Sequence, residues 1–161
     1  MKEIPLTRGK VALVDDEDYD TLNQVRWQAF RSRNTFYAHR HDPEKHSHTI
    51  AMHRSIMDPT PGFQVDHKNR DGLDNRRANL RVCSFEQNTY NRSLTRSTSG
   101  YKGCSYHIRR RQWQAYITVK QQQHYLGLYA TAEDAARAYD AMALVIFGDF
   151  ALLNFPKMGD Q

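Results

Sequence analysis

Residues 65–91 read VDHKNRDGLDNRRANLRVCSFEQNTYN. A carboxylate stands beside an imidazole, Asp66-His67, at the end of a short strand-like run. A polar loop follows with Asp71, Gly72, Asp74, Asn75 and Asn79, then the apolar run Leu80-Arg81-Val82-Cys83. Ser84 and Gln87 have capping-box spacing, which predicts a helix beginning there with Asn88 in its first turn. The local order is strand, long polar loop, strand, helix. Folded back on itself, such a unit brings Asp66, His67 and Asn88 together.

That set of groups suits metal-assisted phosphodiester hydrolysis. A hard cation such as Mg²⁺ takes oxygen ligands and keeps several waters. Asp66 offers a carboxylate and Asn88 an amide oxygen, which leaves room for a phosphate. An imidazole with an unperturbed pKa near ~6.5 can accept a proton from water at neutral pH, which fits His67. The cation would stabilise charge developing on the phosphate and the leaving oxygen.

At these residues the stretch resembles the HNH nucleases, the family with the ββα-metal fold. The pattern DHxNxDxxDNRxxNLR carries the resemblance, which implies His67 as general base and Asp66 as metal ligand. Asn79, twelve residues after His67, matches the middle Asn that braces the loop. Asn88, nine residues further on, matches the third position, a metal ligand. That last residue is Asn rather than His, giving an H-N-N version of the motif. The implied cofactor is a divalent metal, Mg²⁺ first and Mn²⁺ second.

The chain has 161 residues, enough for one ordinary domain or two small ones. Mean hydropathy is −0.82, which suits small cores with large polar surfaces. No apolar run approaches the ~20 residues of a membrane span, and residues 1–20 lack the apolar stretch of a signal peptide. A soluble cytoplasmic protein is expected, in the host cell if phage-encoded. Two cysteines, Cys83 and Cys104, form no C-x-x-C pair and read as buried thiols.

The formal net charge is +5. Residues 68–97 hold seven basic side chains (Lys68, Arg70, Arg76, Arg77, Arg81, Arg92, Arg96) against three acidic ones. This excess beside the predicted site would neutralise phosphates. Arg54, Arg76, Arg77 and Arg81 are expected to grip the backbone of double-stranded DNA. Upstream, residues 10–14 read as a strand and residues 15–25 as a short capped helix. Residues 27–30 and 36–39 read as a hairpin turning at 32–34, and 49–52 as a third strand. His39, His41, His46 and His48 lack regular ligand spacing and read as loop histidines.

Residues 91–99 (NRSLTRSTS) are polar without an apolar face and read as a linker. Fully extended, nine residues reach ~30 Å at ~3.3–3.6 Å each, close to a duplex turn of ~34 Å. Beyond it, residues 101–107, 112–119 and 123–128 read as strands. Thr131 caps a helix that Gly148 stops near Phe147. Ala135, Ala138, Tyr139, Met142, Val145 and Ile146 form its predicted packing stripe. Strand alternation puts Trp113, Ala115, Ile117 and Val119 on one sheet side, and Gln114, Tyr116 and Thr118 on the open one.

From Gly100 to Pro156 this half resembles the Apetala/ethylene-response-factor type of DNA-binding domain. The resemblance is carried by Tyr101-Lys102-Gly103, Trp113, Ala115-Tyr116-Ile117, Leu126-Gly127, residues 131–136, Ala138-Tyr139-Asp140 and Leu153-Asn154-Phe155-Pro156. It implies DNA-facing positions near Lys102, Ser105, His107, Tyr116, Thr118, Gln123 and Tyr125. The expected fold class is α+β: a small N-terminal sheet with a ββα-metal HNH unit, then a three-stranded antiparallel sheet packed on one helix. The expected domains are 1–91 (ββα-metal core about 63–91), a linker 92–99, and 100–157. Joined, the two resemblances look like a homing endonuclease of the phage and mobile-intron kind, acting as a monomer or dimer on DNA. The competing reading is a sequence-specific DNA-binding regulator with an inactive nuclease unit.

Overall fold

The structure is a computed structural model that describes residues 1–156 except 33, 46, 47 and 93–98. Most of the predicted linker, with Arg96, lies outside the described residues, as do Arg33 of the predicted hairpin turn and His46. The architecture is α+β, with four small antiparallel sheets among the described residues. The chain divides into two compact units, Met1–Asn88 and Thr89–Gln161.

The first unit opens with β1 (Lys2–Pro5) paired to β2 (Val11–Val14). Helix α1 (Asp16–Leu22) follows, with three acidic residues in its first turn, where the helix dipole favours negative charge. It stops at Asn23, short of the predicted end near Val25. Strands β3 (Gln28–Ser32), β4 (Thr35–His41) and β5 (Thr49–Ala51) form a meander, and α2 (Met52–Met57) leaves directly from β5. Strands β6 (Gln64–His67) and β7 (Leu80–Cys83) pair antiparallel across the polar loop, and α3 (Phe85–Tyr90) follows. Ile4, Val14, Trp27, Met52, Val65 and Leu80 meet in one core. Trp27 is its centre, almost fully buried, its indole N–H donating to the Leu22 carbonyl at 2.8 Å. That bond satisfies the polar end of a large apolar side chain.

The capping box at α3 is formed in both directions. Gln87 N donates to Ser84 Oγ (3.1 Å), and Ser84 N donates to Gln87 Oε1 (2.8 Å). Two backbone donors that the first helical turn leaves unpaired are thereby satisfied.

In the second unit, β8 (Cys104–His107), β9 (Gln112–Val119) and β10 (Gln122–Tyr129) lie in the order β10-β9-β8. Helix α4 (Ala132–Phe147) starts at Thr131, whose Oγ1 accepts from Asp134 N at 3.1 Å. Its buried face is Ala135, Ala136, Tyr139, Asp140, Ala143 and Phe147. The predicted stripe is therefore corrected in its second half, since Met142, Val145 and Ile146 are exposed. The contact follows the four-residue ridge 135-139-143-147, which lies one residue round the helix from 142 and 146. Phe147 stacks on Tyr90, with ring centroids 3.8 Å apart. Asp140 ties down the C-terminal segment by accepting from Asn154 N (2.8 Å), Asn154 Nδ2 (3.0 Å) and Phe155 N (2.9 Å). Both thiols are buried and unpaired with each other.

Gly103, just before β8, passes close to Tyr139 of α4. Its φ is +71°, and a Cβ there would overlap the Tyr139 ring and lie 2.7 Å from the Tyr116 carbonyl oxygen. Gly103→Ala combines a left-handed backbone cost of about 1–2 kcal/mol with overpacking of about 1–3 kcal/mol. The melting transition of the second unit should drop by more than ~10 °C, read by calorimetry on the full chain.

Candidate active site

Strand β6 places its side chains alternately on two faces, so Gln64 and Asp66 share one and Val65 and His67 the other. The register sets Asp66 opposite Arg81 and His67 opposite Leu80. Asp66 Oδ2 accepts from Arg81 Nε (2.9 Å) and Nη2 (2.6 Å). Both side chains are nearly out of solvent, 8% and 13% exposed. Asn88, in the first turn of α3, donates Nδ2 to Gln64 Oε1 at 2.5 Å. Because Gln64 is two residues from Asp66 on the same strand face, that bond holds Asn88 against the Asp66 side of the hairpin. With its nitrogen committed, Asn88 has an amide oxygen to offer.

His67 is buried at the strand end. Its ring packs edge-on against His53 (centroids 5.0 Å apart, 81° between planes) and Tyr37 (5.6 Å, 61°). Burial pushes its pKa below the usual histidine value, partly offset by the Asn75 hydrogen bond and by Asp66, Asp71 and Asp74. The imidazole is therefore neutral at pH 7, the form that can accept a proton. His53, on α2, is pushed down to about 3 by burial first and by the neighbouring His67 second. Its Nδ1 is buried with no hydrogen-bond partner among the described residues.

The loop between the strands is held by its own side chains. Asn79 Oδ1 accepts from Asn69 N (3.0 Å), and Asn79 Nδ2 donates to the Asp74 carbonyl (2.7 Å), so one side chain spans both limbs. Asn69 Nδ2 donates to Asp74 Oδ2 at 2.8 Å. Strand β2 supports the loop from below: Leu13 N donates to Leu73 O and Asn75 N to Leu13 O, both at 2.8 Å.

Among the described residues, no three His, Cys, Asp or Glu side chains converge as a metal cage would. The oxygens that the Asp66 face could offer a cation are instead the Asp66 carboxylate and the Asn88 amide oxygen. Two hard oxygens with most positions left to water fit Mg²⁺ or Mn²⁺ and do not fit a closed zinc site. A cation held there would share the Asp66 carboxylate with Arg81.

The family model described as HNH endonuclease matches residues 59–90, the span of β6, the loop, β7 and α3. Protein 3.8 of Escherichia phage T7 is 31% identical over 84 residues, covering 51% of this chain and 67% of that protein. The chain carries an HNH endonuclease domain and belongs to the same family as phage T7 Protein 3.8. An HNH endonuclease of Acanthamoeba polyphaga mimivirus is 31% identical over 90 residues, which is 56% of this chain and 46% of the relative. An ethylene-responsive transcription factor of Arabidopsis thaliana is 43% identical over 63 residues, 36% of this chain and 24% of the factor. The chain thus spans under half the length of these last two relatives.

The arginines predicted to grip DNA are already paired within the first unit. Arg76 makes a two-pronged bond to Asp74 (Nε and Nη2, both 2.7 Å). Arg77 does the same to Asp18 (2.8 and 2.6 Å), and its backbone N–H donates to Asp15. Both remain partly exposed, 41% and 45%. Arg81 is corrected most strongly, because its fork is enclosed against Asp66 rather than turned to solvent. Arg54 is exposed and donates to the Phe63 carbonyl at 3.2 Å.

In the second unit, the register puts Ser105, His107, Tyr116, Thr118, Gln123 and Tyr125 on one sheet face, opposite the one that packs on α4. Tyr125 lies directly across from Tyr116 and is 64% exposed. Lys102 is corrected: its ammonium turns to the carbonyls of Tyr90 (2.6 Å) and Arg92 (3.0 Å), because residues 99–103 fold as a turn before β8 begins.

Two residues of the site carried no assigned role in the sequence reading. Asn75 is fully buried with Oδ1 3.4 Å from His67 Nε2. His53 walls the same imidazole. In the sequence Asn75 is marked only by its place in the polar loop.

No helix among the described residues is long and apolar enough to cross a membrane.

Proposed function

We propose that the protein is a metal-dependent, homing-type endonuclease that hydrolyses phosphodiester bonds in double-stranded DNA. Residues 1–91 act as the nuclease, with β6, β7 and α3 as a ββα-metal unit. Residues 92–99 link it to a DNA-binding domain at 100–157. The observation that carries this reading is the bond that ties Asn88 through Gln64 to the Asp66 face of the β6–β7 hairpin, with the neutral buried imidazole of His67 at the next position of the same strand end.

Asp66 and Asn88 hold the cation, most often Mg²⁺. When bound, it supplies charge stabilisation to the phosphate and leaving oxygen. His67 takes a proton from the attacking water. Asn79 keeps the loop closed so that the strand end does not drift. Arg54, with the exposed edges of Arg76 and Arg77, contacts the DNA backbone. A single such centre cuts one strand at a time, so a monomer nicks, and a double-strand break needs two copies or successive events.

The sheet face of Ser105, His107, Tyr116, Thr118, Gln123 and Tyr125 lies against a duplex groove, in the manner of β-ribbon readers. Likeness to ethylene-responsive factors supports this. Tyr125→Ala should weaken duplex binding by at least ~1 kcal/mol, roughly fivefold in affinity. Fluorescence anisotropy would measure that loss, with the nicking rate at saturating DNA unchanged.

One observation favours a second reading. The Asp66 carboxylate is already neutralised by Arg81, as it would be in a DNA-binding regulator whose nuclease unit is silent. Incubation with supercoiled plasmid separates the two. The nuclease reading expects an open-circular product with Mg²⁺ or Mn²⁺ that chelation prevents, and an unchanged plasmid would leave only the regulator.

A further inference from the structure

We infer that Asn75 is a positioning residue for cleavage: it fixes His67 as the tautomer protonated on Nε2, so that Nδ1 is the nitrogen that accepts a proton from water. The inference rests on the nuclease reading of His67. Asn75 is fully buried, so its amide must find partners inside the protein. Its Nδ2 donates to the Leu73 carbonyl at 3.1 Å. That same carbonyl accepts from Leu13 N, and Asn75 N donates to Leu13 O. Strand β2 therefore clamps the backbone of Asn75 and holds the Leu73 carbonyl to which the amide nitrogen donates.

With the nitrogen end spoken for, the end facing His67 Nε2 at 3.4 Å is an oxygen. Turning the amide over would set its oxygen against the Leu73 carbonyl and its NH₂ against the imidazole, losing the Leu73 bond. An amide oxygen only accepts, so Nε2 must carry the hydrogen. A neutral imidazole has one N–H and one lone pair, which leaves the lone pair on Nδ1. When Nδ1 takes the proton, the O–H bond of water breaks, the new N–H forms, and hydroxide is delivered to phosphorus. The ring becomes an imidazolium, and its Nε2–H bond to Asn75 strengthens because the donor is then charged. The acceptor is in place before the reaction and needs no reorganisation. A carboxylate plays this orienting role beside the histidine of a hydrolytic triad, and in this protein a neutral amide fills it.

Long-range ¹H–¹⁵N correlation spectra of histidine-labelled full-length protein report the His67 tautomer directly. The unmodified chain should show Nε2 protonated. Asn75→Ala should show mixed tautomers and lower kcat for plasmid nicking by about 10- to 100-fold, with KM for the duplex unchanged. Asn75→Asp, which still accepts from Nε2 but sets its second oxygen against the Leu73 carbonyl, should keep the tautomer and recover part of the rate lost in Asn75→Ala. A proton on Nδ1 in the unmodified protein overturns the inference, and so does an Asn75→Ala enzyme that cuts within about threefold of wild type. Should Asn75→Ala fail to fold, the tautomer of the unmodified chain still decides. The underlying nuclease reading fails separately, if the unmodified protein nicks no duplex in Mg²⁺ or Mn²⁺, and Asn75's role in cleavage fails with it.

Discussion

His67→Ala should reduce strand cleavage by roughly 10²–10⁴-fold, the contribution of a well-placed general base. Gel-shift affinity for the same duplex should stay within about twofold, because the ring is only 4% exposed and its loss removes little surface that a duplex could touch. Two features make this a large expected effect on activity. Burial holds the imidazole neutral at pH 7, and the rings of His53 and Tyr37 leave it little freedom to tilt. Single-turnover nicking of a labelled duplex is the measurement. Cleavage at the wild-type rate would remove His67 from the chemistry.

The second large effect is at Asp66, where stability and activity are coupled. Removing the carboxylate strands the Arg81 guanidinium in a place that is only 13% exposed. Breaking one side of such an enclosed pair costs about 3–5 kcal/mol. Asp66→Ala should therefore lower the denaturation midpoint of the first unit sharply and abolish nicking at the same time. The double variant Asp66→Ala/Arg81→Ala separates the two causes. It removes both charges, so stability should recover by a few kcal/mol. Nicking should not recover, because a metal ligand is still missing. A double variant that cuts DNA would show that Asp66 serves only to neutralise Arg81.

Much of the site was legible because its determinants are local. Ser84 and Gln87 are three residues apart, and their reciprocal bonds form wherever the helix starts. Asp66-His67 ends a strand of only four residues, Gln64–His67, directly before the polar loop. What was not legible depends on partners far away in the chain. Arg77 reads as a phosphate grip until α1, 59 residues earlier, is seen to supply Asp18. Asn75 gains its role only because β2 runs beside the loop and pairs Leu13 with residues on either side of Asp74. Strand β1 escaped notice because a single side chain in it, Ile4, is buried, and a proline ends it. The α4 stripe was misplaced by one position because apolar residues occur on both sides of the true ridge. Sequence periodicity could not choose between them without the sheet.

The central claim is that Asp66 and Asn88 hold one divalent cation beside His67. Titration with Mn²⁺, followed by paramagnetic broadening of side-chain resonances, tests it most directly. The expected result is early and selective broadening at Asn88 and His67, lost in Asp66→Ala/Arg81→Ala. Broadening centred instead on the acidic turn of Asp16, Glu17 and Asp18, with Asn88 and His67 unaffected, would contradict it.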